Sequence, residues 1–388
     1  MNGVAPGSPP QRRRDVFVRR RIAVVATVAA LILVGLLVTG GGSIANRPRQ
    51  ALSSTTTSST HYRRQPKGLT PSAYLAPGSD PSVLPGPVLI ADKSNNRLIE
   101  VSPTGNVLWE FPRPGDLAPG QTFRVPDDAF YTPDGKQIIA TQEDDFAVTL
   151  IDVATHRIVW RYGTPGQSGA GPNQLWNPDD AIMLRGGRIV LADIKNCRLL
   201  WLTTGAHTPL QQLGRTYYCH HRPPARFASP NGAFPVPGGG IVVTEITHDW
   251  ITELAPDGTV LWQTHAPGVG YPSDTNQIGP DRYLTVDVAH PGKIVAFDHT
   301  GRLLWEFRPT GRDTLDRPTL AEALPNGDIL ATDDDNNRVI VVDPRTNRIV
   351  WQYGHTGVDG RAPGYLSDPD GGDLAPPHSL ISRVQSAG

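Results

Sequence analysis

The sequence predicts an all-β fold, a six-bladed β-propeller, standing behind one N-terminal transmembrane helix and a flexible linker. Three recurrences predict the propeller. First, a proline followed by one or two polar residues and an apolar stretch stands at Pro126, Pro178, Pro230, Pro272 and Pro318, with a sixth at Pro369, at spacings of 52, 52, 42, 46 and 51 residues. A drifting period in this range is that of one four-stranded blade, which buries its two faces only by stacking on neighbours. Second, an acidic residue closes a short apolar run at Asp92, Glu143, Asp193, Glu245, Asp287 and Asp333, and another apolar run comes after each. Third, a strand ends in tryptophan at Trp109, Trp160, Trp262, Trp305 and Trp351, with Leu210 near the equivalent place in the third unit.

Taken in order, residues 1–21 form a basic segment with six arginines at positions 12–14 and 19–21. Residues 22–39, IAVVATVAALILVGLLVT, are uncharged and apolar or small, long enough to span a bilayer as a signal anchor with the basic end inside. The other reading is a cleaved signal peptide, for which Ser43 and Ala45 supply a small-x-small site. Either reading exports the C-terminal repeats. Residues 40–82, rich in serine, threonine and proline, read as a flexible tether.

Residues 83–388 hold the propeller. Within a unit the order is strand, turn such as TPDG or LPNG, strand, acidic turn, strand, turn such as PTG or PDG, strand. Blade one starts late, at LPGPVLIAD, so its inner strand comes either from the segment after Pro369 or from Pro77 to Leu84. The first would join the termini in one sheet and remove an open edge. Pro376 and Pro377 speak against it.

Charge divides along the same line. Residues 1–82 carry ten arginines and one lysine against Asp15 and Asp80, so the rest of the chain holds −10 of a total of −1. An acidic propeller is a poor partner for nucleic acid. The two cysteines, Cys197 and Cys219, both fall in the exported part, where they either form a disulfide or remain as free or metal-linked thiols.

The stretches ATDDDNNRVIVVDPRTNRIVW (331–351) and ADKSNNRLIEVSPTGNVLW (91–109) resemble NHL repeats, as do the glycine-rich connectors 162–181 and 353–370. The strand ends DVATHRIVW and DPRTNRIVW are similar to pyrroloquinoline-quinone-type propeller repeats. Blades four and five depart from the pattern, placing His248 and His290 where the others have Asn95, Asn196 and Asn336. DVAHPGKIVAF (287–297) also resembles the zinc-binding turns of peptidyl-hydroxyglycine amidating lyases, though His290 stands three positions after its acidic residue rather than four.

Antiparallel topology puts the start of each inner strand, each acidic turn and each connector on one rim. Asp128, Asp180 and Asp274 fall there near the pore, with His248 and His290 at matching turns and His220 and His221 on the connector into blade four. Rims of loops on a rigid scaffold are where propellers bind. The five groups Asp128, Asp180, Asp274, His248 and His290 are therefore candidate ligand contacts. His220, His221, His248 and His290 are candidate ligands for zinc or another divalent metal. No GxSxG, HExxH, Walker or EF-hand pattern occurs. The expected function is a membrane-tethered extracytoplasmic module that binds a protein or a cell-envelope ligand. The alternative is a metal-assisted hydrolase or lyase using the histidine rim.

Overall fold

Period-two alternation gives the second strand of each blade two apolar faces, and the computed structural model, which describes residues 68–377 and 379, shows what covers them. In β1 (Val88–Asp92), Val88 and Ile90 pack with blade six, while Leu89 and Ala91 pack with blade two. The same division repeats around the ring. Six apolar clusters lie one at each junction between neighbouring blades, so the core is a ring of interfaces.

Blade one contains β1, β2 (Arg97–Val101) and β3 (Val107–Phe111). Blade two is β4 (Pro126–Tyr131), β5 (Gln137–Gln142), β6 (Ala147–Asp152) and β7 (Arg157–Gly163). Blade three has β8 (Pro178–Met183), β9 (Arg188–Asp193), β10 (Arg198–Thr203) and a short β11 (Gln211–Leu213), with Leu210 exposed just ahead of it. Blade four is β12 (Pro230–Pro235), β13 (Ile241–Glu245), β14 (Trp250–Leu254) and β15 (Val260–His265). Blade five is β16 (Pro272–Gly279), β17 (Arg282–Asp287), β18 (Lys293–Phe297) and β19 (Leu303–Phe307). Blade six is β20 (Pro318–Ala323), β21 (Ile329–Asp333), β22 (Arg338–Asp343) and β23 (Arg348–Gly354). The last strand, β24 (Pro369–Leu374), returns to pair antiparallel with β1 and completes blade one.

That pairing decides between the two candidate inner strands. Pro376 and Pro377 fall beyond the end of β24, where they break no ladder. Pro77 to Leu84 does something else. Residues 76–80 run along the outer edge of blade six, where Ala76 N donates to Gln352 O at 3.1 Å and Asp80 N to Val350 O at 2.8 Å. They cover an edge that would otherwise be open, so residues 76–80 of the stretch expected to be linker pack on the propeller.

All six expected strand-starting prolines begin strands, and five pair with the acidic residue that ends the second strand: Pro178 with Asp193, Pro230 with Glu245, Pro272 with Asp287, Pro318 with Asp333, Pro369 with Asp92. In blade two the partner of Pro126 is Gln142, so Glu143 lies one residue past the position the repeat gave it. The tryptophans lock neighbouring blades together. Trp109 Nε1 donates to Val153 O at 3.1 Å and Trp351 Nε1 to Pro103 O at 2.8 Å, each across a blade junction. Cys197 and Cys219 form a disulfide, with Cα atoms 5.2 Å apart, that ties the connector into blade four to blade three. The expected span at 22–39 and the tether through residue 67 lie outside the described residues. Among the described residues no helix is long and apolar enough to cross a membrane.

Candidate functional site

Immediately after its proline each inner strand breaks register with its neighbour, between Pro126 and Ala129, Asp179 and Ala181, Pro230 and Gly232, Ser273 and Asn276, and Pro318 and Ala321. A bulge leaves residues unpaired and re-aims their side chains. Asp180 and Asp274 adopt left-handed backbone at φ 28° and 48°, a region aspartate tolerates better than most residues. The freed amide of Asp128 donates to Thr141 Oγ1 at 2.9 Å, and that of Leu320 to Thr332 Oγ1 at 3.0 Å, so the bulged backbone stays satisfied.

Two layers of side chains result. The residue after each proline gives Asp127, Asp179, Asn231, Ser273, Thr319 and Asp370; the next gives Asp128, Asp180, Gly232, Asp274, Leu320 and Gly371. Carboxylate oxygens of Asp128, Asp180 and Asp274 lie within 4.8 Å of one another, although they come from blades two, three and five. Strands of three blades converge so closely only near the propeller axis. Asp127, Asp128 and Asp179 form a second group of the same span.

One lysine answers part of this charge. Lys93, the residue after Asp92, donates to Asp127, to Asp370 Oδ2 at 2.6 Å and to Glu143 Oε2 at 3.4 Å. Burial opposes its charge, but Asp127, Asp370, Glu143 and Asp334 outweigh burial and hold its ammonium well above the usual lysine range. Burial likewise works against Asp370, yet Lys93 and hydrogen bonds from Asp127, Lys93 and Thr319 bring its carboxyl below the usual range. The remaining aspartates shift the other way. Burial first, then mutual repulsion, pushes Asp179 and Asp274 well up. Burial and Asp128 do the same to Asp180, and burial leads the rise of Asp128 to about 6.

At the other end of the inner strands lies a cavity of about 720 Å³ lined by Phe130, Ile182, Phe234, Gln277, Ile278 and Leu324, with Glu322 and Asp373. Burial, then the charges of Asp373 and Asp128, raise Glu322 well above its ordinary value, and burial lifts Asp373 to about 7.

The structure therefore brings Asp128, Asp180 and Asp274 together. It does not do so for the histidines. Among the described residues, the groups of metal-capable side chains within 4.8 Å contain carboxylates only. His221 is engaged through both ring nitrogens, Nδ1 with Glu245 Oε1 at 2.8 Å and Nε2 with Gln263 Oε1 at 3.2 Å, and stacks on Trp250. The reason is local. Blades one, three and six brace their acidic residue with an arginine five positions on, at Asp92–Arg97, Asp193–Arg198 and Asp333–Arg338, 2.6 to 2.7 Å apart. In blade four that position is Trp250, and His221 takes the arginine's place from the connector. His290 pairs with Asp316 at 3.1 Å, while His220 and His248 sit on the loops of the rim. The tryptophans at the strand ends belong to the junctions between blades rather than to the channel, so Trp109 and Trp351 offer a quinone no stacking face there.

Lys93, Asp127, Asp179 and Asp370 are the functional candidates that the sequence did not single out. The signal for the three aspartates was present as the Pro-Asp pair repeated at 126–127, 178–179 and 369–370.

Comparison with known proteins bears on the fold and the family. No curated protein matches the sequence. Among solved structures, a Bacteroides caccae protein of unknown function is similar at a TM-score of 0.53 and 15% identity, covering 74% of this chain and 98% of that one. A chain of a nidogen/laminin complex matches at 0.51 and 14% identity, over 74% and 98%. At such identities these likenesses show the propeller fold alone. The profile described as outer membrane protein assembly factor BamB matches residues 49–215 and 220–364, which is most of the chain. On that match, the chain belongs to the BamB family of β-propellers.

Proposed function

We propose that this chain is a membrane-tethered, extracytoplasmic propeller that binds a protein segment at the cell envelope. The single observation that carries the reading is the cavity of about 720 Å³ at one mouth of the channel, where Phe130, Ile182, Phe234 and Ile278 surround two carboxylates, Glu322 and Asp373. A recess whose lining mixes apolar side chains with convergent polar groups such as Asn276, Gln277, Glu322 and Asp373 is built to take up an inserted side chain and orient it. Here the apolar wall favours a long or aromatic side chain, and the acids favour one ending in a cation. The propeller's excess of acidic residues extends that preference to the surrounding partner surface and speeds encounter with a basic one. Membership of a family named for an assembly factor agrees with a binding role. The N-terminal apolar segment supports the tether and the export.

Site-specific photocrosslinking in intact cells tests this. A photoreactive residue at Gln277, inside the recess, is expected to capture a discrete polypeptide partner, while the same residue at Val159, exposed on β7, is not. The absence of an adduct at Gln277, or equal labelling from both positions, would overturn the reading.

A further inference from the structure

We infer that the propeller axis holds one divalent cation of the calcium class, bound by the carboxylates of Asp128, Asp180 and Asp274. Calcium takes oxygen ligands at about 2.3–2.6 Å, so two oxygens on opposite sides of one ion stand at most about 5 Å apart. The three carboxylates, drawn from three blades, offer oxygens within 4.8 Å of one another. All three residues are buried, at 2%, 0% and 2% exposure, and each has an Oδ1 with no hydrogen-bond partner. A single orphaned carboxylate oxygen inside a protein already calls for an explanation. Three such residues, meeting from separate blades with carboxylate oxygens within 4.8 Å of one another, share one explanation if a cation sits between them.

The neighbouring acids show the contrast. Asp127 and Asp370 are answered by Lys93, which also reaches Glu143. The charges that weigh most on Asp274 are those of Asp180, Asp128, Asp370 and Asp127, all of one sign. Glycines keep the place open. Gly232 fills the layer between Asp180 and Asp274, and a Cβ on Gly371 would overlap the Asp128 carboxylate. The donor set is oxygen alone, which suits a hard cation rather than zinc or copper. Magnesium demands oxygens at about 2.0–2.1 Å in near-ideal octahedral array and dehydrates reluctantly, so three buried carboxylates favour calcium. Bound there, the ion would link blades two, three and five, a structural role that goes beyond the capture of a partner at the other mouth. The rival account is proton sharing among the same carboxylates, with no ion.

The test uses the full-length chain, purified in detergent and stripped with EDTA, at neutral pH. Calcium chloride alone is titrated by calorimetry and by thermal unfolding. The expected result is uptake of one calcium per chain with a raised Tm, through the mass-action stabilisation that any native-state ligand gives. In Asp274→Asn, binding weakens by at least about tenfold, the scale on which even supporting residues of metal sites act, and the Tm shift disappears. The substitution is nearly isosteric and removes a repelling charge, so the fold is retained. Asp180→Asn provides a second variant with the same expected loss. The doubly substituted Asp335→Asn, Asp368→Asn chain, altered in the separate outer acidic group, keeps the response. Proton sharing alone predicts no stoichiometric uptake, and that result overturns the inference. So does unchanged uptake in both triad variants, or a loss that tracks the outer pair. An equal response to magnesium chloride overturns the calcium-class assignment.

Discussion

Glu100 projects from the face of β2 that packs on blade two, beside its strand neighbour Leu98 in an apolar core. Its carboxylate accepts a hydrogen bond from the Tyr131 hydroxyl, and its other oxygen has no partner. Burial pushes Glu100 up to about 8; the Tyr131 bond works the other way, and Asp373 adds to the rise. Proton counting gives the sign of the consequence. Between the ordinary glutamate value and about 8, the folded chain keeps a proton that the unfolded chain has released, so stability is greatest at low pH and falls as pH rises through that window. The slope reaches at most about 1.4 kcal/mol per pH unit while a whole proton separates the states. Asp373, raised to about 7, contributes with the same sign. Urea midpoints taken with EDTA present should therefore fall from mildly acidic to mildly alkaline pH, and Glu100→Gln should flatten that fall and gain stability at the alkaline end. Parallel profiles for the two proteins would refute the assignment. Residues of this kind are hard to read from a sequence. Glu100 looks like any strand glutamate until the neighbouring blade is in place, whereas Asp128, Asp180 and Asp274 were legible because the repeat fixes their phase. For a related reason, spacing shows that His221 lies on a connector but not that the connector folds it back onto Glu245.

At the scale of the element, the closing strand is the feature on which the toroid depends. β24 supplies the inner edge of blade one, placing Leu374 in the core shared with blade six and Asp370 against Lys93. Removing it uncovers Leu89 and Ile90 on β1 and deprives Lys93 of a buried partner. Each apolar side chain so exposed costs roughly 1.5–3 kcal/mol, and breaking the buried pair adds to this. Truncation after Asp368 should therefore abolish the single cooperative unfolding transition, measured by circular dichroism on heating. A melting curve identical to that of the whole chain would contradict the closure. The blades themselves were legible from the chain, because proline, acidic turn and tryptophan recur in step and each has one structural place. The choice of closing strand was not, since Pro77 to Leu84 and the segment after Pro369 carry the same proline mark. Glycine separates them in the folded molecule: at Gly371 a Cβ would meet Asp128, and at Gly372 it would meet the Leu89 carbonyl. Of the two repeat resemblances, the quinone-type strand ends are the one that the family match shares.

For the whole molecule, charge, disulfide and N-terminal segment bear on where the propeller works. Residues 1–82 hold eleven basic residues against two acidic ones, with six of the arginines ahead of the apolar stretch at 22–39. Basic flanks stay on the cytoplasmic side, which under the proposed topology would send the acidic propeller outward. The Cys197–Cys219 disulfide joins residues 22 positions apart and persists in oxidising compartments, not in a reducing cytosol. The two lines are independent, since one rests on flank charge and the other on redox chemistry. They lead to one expected outcome. Protease added to intact cells or spheroplasts should cut the chain between residues 40 and 67 and release a propeller-sized fragment, while residues 1–21 remain protected. The blades should resist, because closure by β24 and the strip at residues 76–80 leave few unpaired edges for a protease to enter. Thiol labelling before lysis gives a second reading of the same compartment, with Cys197 and Cys219 expected to be unreactive until reduced. A C-terminal reporter active only in the cytoplasm, or cysteines labelled without reduction, would place the propeller on the wrong side of the membrane for the function proposed.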